Sequence, residues 1–297
     1  MDQNYTSREL VQSVIQNKAD KHLPKGELCI NDAVIQQTLA VDKIGFPEKL
    51  EFVQMMGLDI YSLSPQYPYK LKNLPEKEIY QWPDLKSWTV NTSVFIFAVL
   101  DGAFEWGMRL LGPQKFCSKL RSRPMLEELI AQVEKLNFYM IDKLAGEGVN
   151  GLILADDIAY QQGLFAQPQV FREFFIPSLA RQVERVLKLD LPVFYHSDGN
   201  YSAVLDDIIK TGVTGLQCLE KTAGMQIEEI QSKVDICLWG HLDTDDLEEA
   251  ANDASVLQAL LETTRELAKE KKFILGTTSG LYEGMKIDAL RSIYANV

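Results

Sequence analysis

Basic residues are in short supply in this chain, with 30 Lys and Arg against 42 Asp and Glu and a formal net charge of -12. Nucleic-acid binding draws on clustered cations, so this balance disfavours that class while still allowing a local basic pocket. Long apolar runs are missing too. The longest, Val94 to Leu100, is far too short to span a bilayer, and the opening MDQNYTSREL has no signal-peptide core. The four cysteines (Cys29, Cys117, Cys218 and Cys237) are scattered with no C-x-x-C pair, the pattern of reduced thiols in a cytoplasmic protein. Histidine occurs three times, leaving little from which to build a nucleophilic triad. P-loop, G-x-S-x-G, H-E-x-x-H and kinase signatures are absent, as are solenoid repeats.

What is present is a rhythm. Near-continuous apolar runs predict strands at Leu58–Ser64, Ser93–Leu100, Gly151–Ala155, Leu191–Tyr195, Gly215–Leu219, Ile236–Gly240 and Phe273–Thr277. Helical patterns separate them, over 103–111, 124–146, 168–189 with a break near Pro177, 203–211, 227–233, 256–271 and 287–295. Upstream, 1–20 reads as a helix striped by Leu10, Val11, Val14 and Ile15, followed by helices at 31–42 and 47–56. Between the first two helices, His22 to Leu28 reads as a loop that presents or buries Glu27 near a neighbouring element. Alternating helix and apolar strand means a parallel sheet covered by helices. No G-x-G-x-x-G follows any strand, which favours an α/β (β/α)8 TIM barrel over a doubly wound sheet. The chain reads as one barrel domain, 1–297, with 1–57 as an N-terminal helical extension packed on it. The eighth strand is expected within the irregular segment 65–92, or near Trp88 to Thr92.

A barrel carries its function at the C-terminal strand ends. Those ends supply Asp101, Asp156, Asp157, His196, Asp198, Cys218, Glu220, His241, Asp243 and Ser279. Asp101 and Asp243 serve equally well as helix caps. The segment LPVFYHSDGN is the centre of the pattern, an apolar strand that breaks off in His196 and Asp198 on one face. Three readings stand for this pair. One is a metal site in which Cys218 joins His196 and Asp198. Another is a metal-free acid–base site, and the last is a core histidine beside a capping aspartate. Adjacent carboxylates point to opposite faces, so one of Asp156 and Asp157 enters the pocket, with Asp157 preferred. Glu105 and Arg109 are spaced for an i,i+4 ion pair, and Tyr282, Trp82 and Trp88 are candidates for the rim. The set assembled for catalysis is His196, Asp198 and Asp157. For substrate binding it is Glu105, Asp156, Glu220, His241 and Tyr282.

The blocks KHLPKGELCI, FAVLDGAFEWGMRLLG, GVNGLILADD, VFYHSDGN, VDICLWGHLD and KKFILGTTSG, in that order, resemble the uroporphyrinogen decarboxylase-like superfamily. Their look is nearest to its corrinoid-dependent methyltransferase branch. The resemblance spans nearly the whole chain. It implies a (β/α)8 barrel with a central cleft and methyl transfer between a small molecule and a corrinoid (cobalamin) held by a partner protein. In thiol-methylating members a His-x-Cys and a late Cys bind zinc. Here His196 stands at the histidine, Asp198 replaces the first cysteine, and the late region offers Thr277, Thr278 and Ser279. The loss of both thiolates weighs against zinc. The resemblance then points to tetrahydrofolate, or a methylated amine or ether, ahead of a thiol. The arginine-rich N-terminal segment of true decarboxylases is replaced by PKGELCIND, an acidic wall for a polyanionic porphyrinogen. The rival expectations are decarboxylation of another small acid and a non-catalytic member that binds a corrinoid or ligand.

Overall fold

The computed structural model describes residues 5–18, 22–68, 71–269 and 272–297. The expected ends of the first helix (1–4 and 19–20), the end of the helix at 256–271 and part of the 65–92 segment lie outside them. Among the described residues, eight parallel strands form one sheet: β1 (Gly26–Glu27), β2 (Ile60–Leu63), β3 (Phe95–Asp101), β4 (Gly151–Ala155), β7 (Val193–His196), β8 (Gly215–Gln217), β9 (Cys237–Leu242) and β10 (Phe273–Thr277). A short antiparallel hairpin, β5 (Ala159–Tyr160) and β6 (Gly163–Leu164), follows β4. A bridge between Lys25 and Leu275, with Leu275 N donating to Pro24 O at 2.9 Å, joins the first and last strands into a barrel.

The strands are apolar on both faces because both faces are covered. On β3, Phe95, Phe97 and Val99 fill the barrel with Phe194, Trp239 and Ile274, while Ile96, Ala98 and Leu100 meet the outer helices. The helix Ser7–Ile15 plugs the barrel floor with Leu10, Val11, Val14 and Ile15, the residues of its predicted stripe. A capping box between Thr6 and Glu9 starts it. The break near Pro177 is a five-residue π turn, Phe171–Phe175, ahead of the helix Ile176–Leu187. No helix among the described residues is long and apolar enough to cross a membrane.

One expectation needs correction. The eighth strand lies in neither 65–92 nor Trp88 to Thr92. It is β1, inside the stretch 1–57 expected to be a helical extension. Two residues carry no periodic signal, and β1 exists because its neighbours hold it. The Trp239 indole donates to Gly26 O at 3.1 Å from inside the barrel. Glu27 turns outward, where it accepts from Thr277 Oγ1 on β10 and from the Tyr294 hydroxyl of the last helix.

Burial pushes the Glu27 carboxyl up to about 7, and the two hydroxyl bonds offset only part of that. Unfolded chain releases this proton near 4.5, whereas native chain holds it until about 7. Native protein therefore binds the extra proton between those values, and stability from this group falls as pH rises through the window, by on the order of 2–4 kcal/mol. Glu27→Gln is expected to flatten the loss of denaturation midpoint between pH 4.5 and 7.5. An unchanged slope would contradict this assignment.

Candidate active site

A cleft of about 340 Å³ opens at the C-terminal ends of the strands. Its walls come from Cys29 after β1, Tyr67 after β2, Asp101 on β3, Asp157 after β4, His196 and Asp198 at β7, and Ser279 and Tyr282 after β10. Glu105 and Arg109, on the helix Ala103–Leu111 that follows β3, complete one side.

His196 is the anchored member of the group. The ladder pairs it directly with Gln217 on β8, and its Nδ1 meets Gln217 Oε1. Gln217 Nε2 donates to Thr278 O at 2.9 Å, which leaves Oε1 as the atom facing the imidazole. Nδ1 therefore carries a proton, and in the neutral ring Nε2 presents a lone pair to the cleft. Asp157 Oδ1 lies 3.5 Å from Nε2 and Asp198 Oδ1 3.7 Å. The carboxylates are held in turn: Asp198 N donates to Asp157 Oδ1 at 3.0 Å, and Cys218 Sγ donates to Asp198 Oδ1 at 3.1 Å.

Cys218 reaches Asp198 from a left-handed backbone (φ +69°) just past the end of β8. That conformation is costly for a side-chain-bearing residue, and here it occurs at the site. Gly199 next to Asp198 has φ +76°, and a Cβ there would sit 2.6 Å from the Tyr160 backbone. Only glycine fits this turn. Its N–H donates to Glu220 Oε2 at 2.6 Å.

The two adjacent aspartates have separate tasks. Asp157 faces the cleft. Asp156, expected to bind substrate, turns beneath the helix Ala103–Leu111 and accepts from Glu105 N at 2.7 Å. A side chain on Gly102 would collide with that carboxyl at 2.3 Å. Burial raises the Asp156 carboxyl well above its ordinary range, as suits a group hidden behind the wall.

Glu105 and Arg109 form the expected ion pair at 2.8 Å, and Arg109 also reaches Asp101 at 3.5 Å. The Tyr67 hydroxyl donates to Asp101 Oδ2 at 2.9 Å, so this aspartate belongs to the wall and caps nothing. Burial lifts the Glu105 carboxyl to about 7 despite the guanidinium beside it.

Tyr282 lines the mouth with its hydroxyl on Ser279 O. Glu220 stays behind the cleft on Gly199 N. His241 leaves it altogether: Nε2 meets Thr264 Oγ1 at 2.8 Å in the outer helical layer, and burial pushes the imidazole down to about 4. His241, expected to bind substrate, is thus not among the residues that line the cleft. Trp82 and Trp88 are buried core residues.

Two residues of the site escape a reading of strand ends. Gln217 is a neutral amide with no chemical signature, but its register opposite His196 would have exposed it. Cys29 lines the cleft from the end of the unrecognised β1, with Sγ 3.5 Å from Ser279 O, and burial holds its thiol at about 11. At a pH where the His196 ring is neutral, a long-range proton–nitrogen spectrum is expected to find the proton on Nδ1. A neutral ring protonated on Nε2 would contradict the arrangement.

The uroporphyrinogen decarboxylase (URO-D) family model matches residues 85–297. Comparison with curated proteins gives no match. Among solved structures, a methyltransferase from Methanosarcina mazei superposes with a TM-score of 0.72 at 14% identity, over 99% of this chain and 98% of that one. The "Putative Vitamin-B12 Independent Methionine Synthase" of Listeria monocytogenes reaches 0.51 at 13% identity, over 93% and 98%. At such identities the likeness speaks for the fold alone. The family match is of another kind, covering well over half the chain and including β3 through β10, so this protein belongs to the uroporphyrinogen decarboxylase (URO-D) family.

Proposed function

We propose that the protein moves a methyl group between a corrinoid carried by a partner protein and a small molecule seated in the cleft. The observation that carries this reading is the His196 imidazole, pinned at Nδ1 by Gln217 and open at Nε2 between Asp157 and Asp198. Methyl transfer is an in-line displacement. The bond from carbon to its donor atom breaks with the electron pair remaining on that atom, and a new bond forms to a pair on the acceptor. The protein's share is to align the two and to manage a proton. His196 Nε2 would hand that proton to the small molecule's heteroatom, or take it back, with Asp157 and Asp198 stabilising the imidazolium.

Size and charge support the reading. A cleft of about 340 Å³ suits a small ligand, and a tetrapyrrole macrocycle would have to stay at its mouth. Decarboxylation, the reaction in the family's name, would bring a carboxylate against Asp157 and Asp198 in a cleft whose one arginine, Arg109, is already paired with Glu105 and Asp101. The charges oppose it.

The donor set also suits zinc, since His196, Asp198 and Cys218 offer one ligand atom each within 4.8 Å of one another. When bound there, zinc would supply Lewis acidity to the small molecule's heteroatom. Burial and the neighbouring Asp198 raise the Cys218 thiol well above its usual range, so zinc would have to displace a firmly held proton.

His196→Ala is expected to lower methyl-transfer turnover at least about tenfold while leaving the fold intact. Unchanged kinetics in folded variant would remove His196 from the mechanism.

A further inference from the structure

We infer that Glu27, buried in the seam outside the barrel wall, is a positioning residue for His196: it sets the end of β10, which in turn orients Gln217. This rests on the reading that His196 acts in the cleft, whatever it acts on. Backbone bridges tie β10 and its continuation to the first strand's flanks at Lys25–Leu275 and again at Ile30–Leu281. Between these two bridges stands the Glu27 carboxyl. Its Oε2 accepts from Thr277 Oγ1, with the Thr277 N–H directed at the same oxygen from 3.4 Å, and its Oε1 accepts from the Tyr294 hydroxyl.

From Thr277 the contacts run on to the cleft. The Thr277 hydroxyl gives its proton to Glu27 and accepts from Gly280 N at 2.9 Å, which pins the turn between them. Within that turn Thr278 O accepts from Gln217 Nε2 at 2.9 Å, and Gln217 Oε1 meets His196 Nδ1. Ser279 O, one residue on, accepts from the Cys29 thiol and the Tyr282 hydroxyl at the cleft wall. On the β9 side the turn is held by Thr278 N donating to Leu242 O at 3.1 Å. Glu27 supplies the opposing hold. A strand end tethered from one side alone would swing about that tether and carry Thr278 O away from Gln217.

That displacement would reach the imidazole. Gln217 is fully buried, so its amide has no water to turn to when Thr278 O is lost. A flipped amide would offer Nδ1 a donor in place of an acceptor and move the ring proton to Nε2. A purely structural seam would also be cheaper to fill with an apolar side chain. Glu27 is 1% exposed and bonds only to hydroxyls and a backbone N–H, with no cation among these partners. What the carboxyl adds is two acceptor oxygens at a fixed spread, one for the last helix and one for Thr277.

The test is the long-range proton–nitrogen spectrum of His196 in the whole, chelator-treated protein, compared between Thr277→Val and Tyr294→Phe. Each variant removes one hydroxyl from Glu27, the first on the route to the cleft and the second off it. The chain has three histidines, and loss of signals in His196→Ala identifies the ring in question. Thr277→Val is expected to shift the His196 nitrogen signals away from the Nδ1-protonated pattern. Tyr294→Phe is expected to lower the denaturation midpoint and leave those signals in place, and Thr277→Ser, which keeps the hydroxyl, to restore the native spectrum. Native signals in folded Thr277→Val, or an equal shift in Tyr294→Phe, overturn the inference and leave Glu27 a structural clamp. Should Thr277→Val not fold, Glu27→Gln is read in its place, with one acceptor oxygen left for two hydroxyls. Unmoved His196 signals in that variant overturn the inference too. The kinetics of His196→Ala decide the methyl-transfer reading separately, so either can fail alone.

Discussion

The barrel is closed by very little chain. Gly26 and Glu27 are its entire first strand, and they lie between β2 and β10 because three separate contacts keep them there. The Trp239 indole holds the Gly26 carbonyl from within, Lys25 bridges to Leu275, and Glu27 is clamped from outside by Thr277 and Tyr294. Without this seam β10 would be an open edge there, and Cys29, two residues past Glu27, would depend on the Leu281 backbone alone to stay beside Ser279. The cleft thus inherits its shape from a joint whose buried carboxyl prefers to keep its proton.

Inside that frame the site is governed by electrostatics. Carboxylates outnumber cations, and burial lifts Asp101, Glu105 and Glu220 above their ordinary ranges. Such crowding costs stability unless something positive offsets it. Arg109 does this on one wall. Opposite it, Asp157 and Asp198 stand 3.5 and 3.7 Å from the His196 imidazole. The Gln217 bond makes the histidine a defined partner, because it fixes the ring and assigns the proton to Nδ1.

Much of this was legible in the chain. Seven strands announced themselves because apolar residues occupy both of their faces, and His196 and Asp198 stood out where β7 breaks off into polar residues. The first strand stayed hidden because local pattern cannot reveal two residues held by distant partners. His241 misled because a position at a strand end does not say which way the ring turns, and its partner Thr264 lies on a helix 23 residues away. Asp156 and Asp157 were separable only in part. Alternation sends them apart, but it takes the bare Gly102 to show which one docks beneath the helix. Cys29 carried no signal, being a lone thiol at the end of a strand that was not recognised.

The most direct test of the account is to follow the absorbance of a reduced free corrinoid, under strict exclusion of oxygen, as the protein and a panel of methylated amines, ethers and folates are added. The account predicts a protein-dependent change to the methylated corrinoid spectrum with at least one donor. A spectrum that stays unchanged with every donor, together with release of carbon dioxide from a small carboxylic acid in the absence of corrinoid, would contradict it.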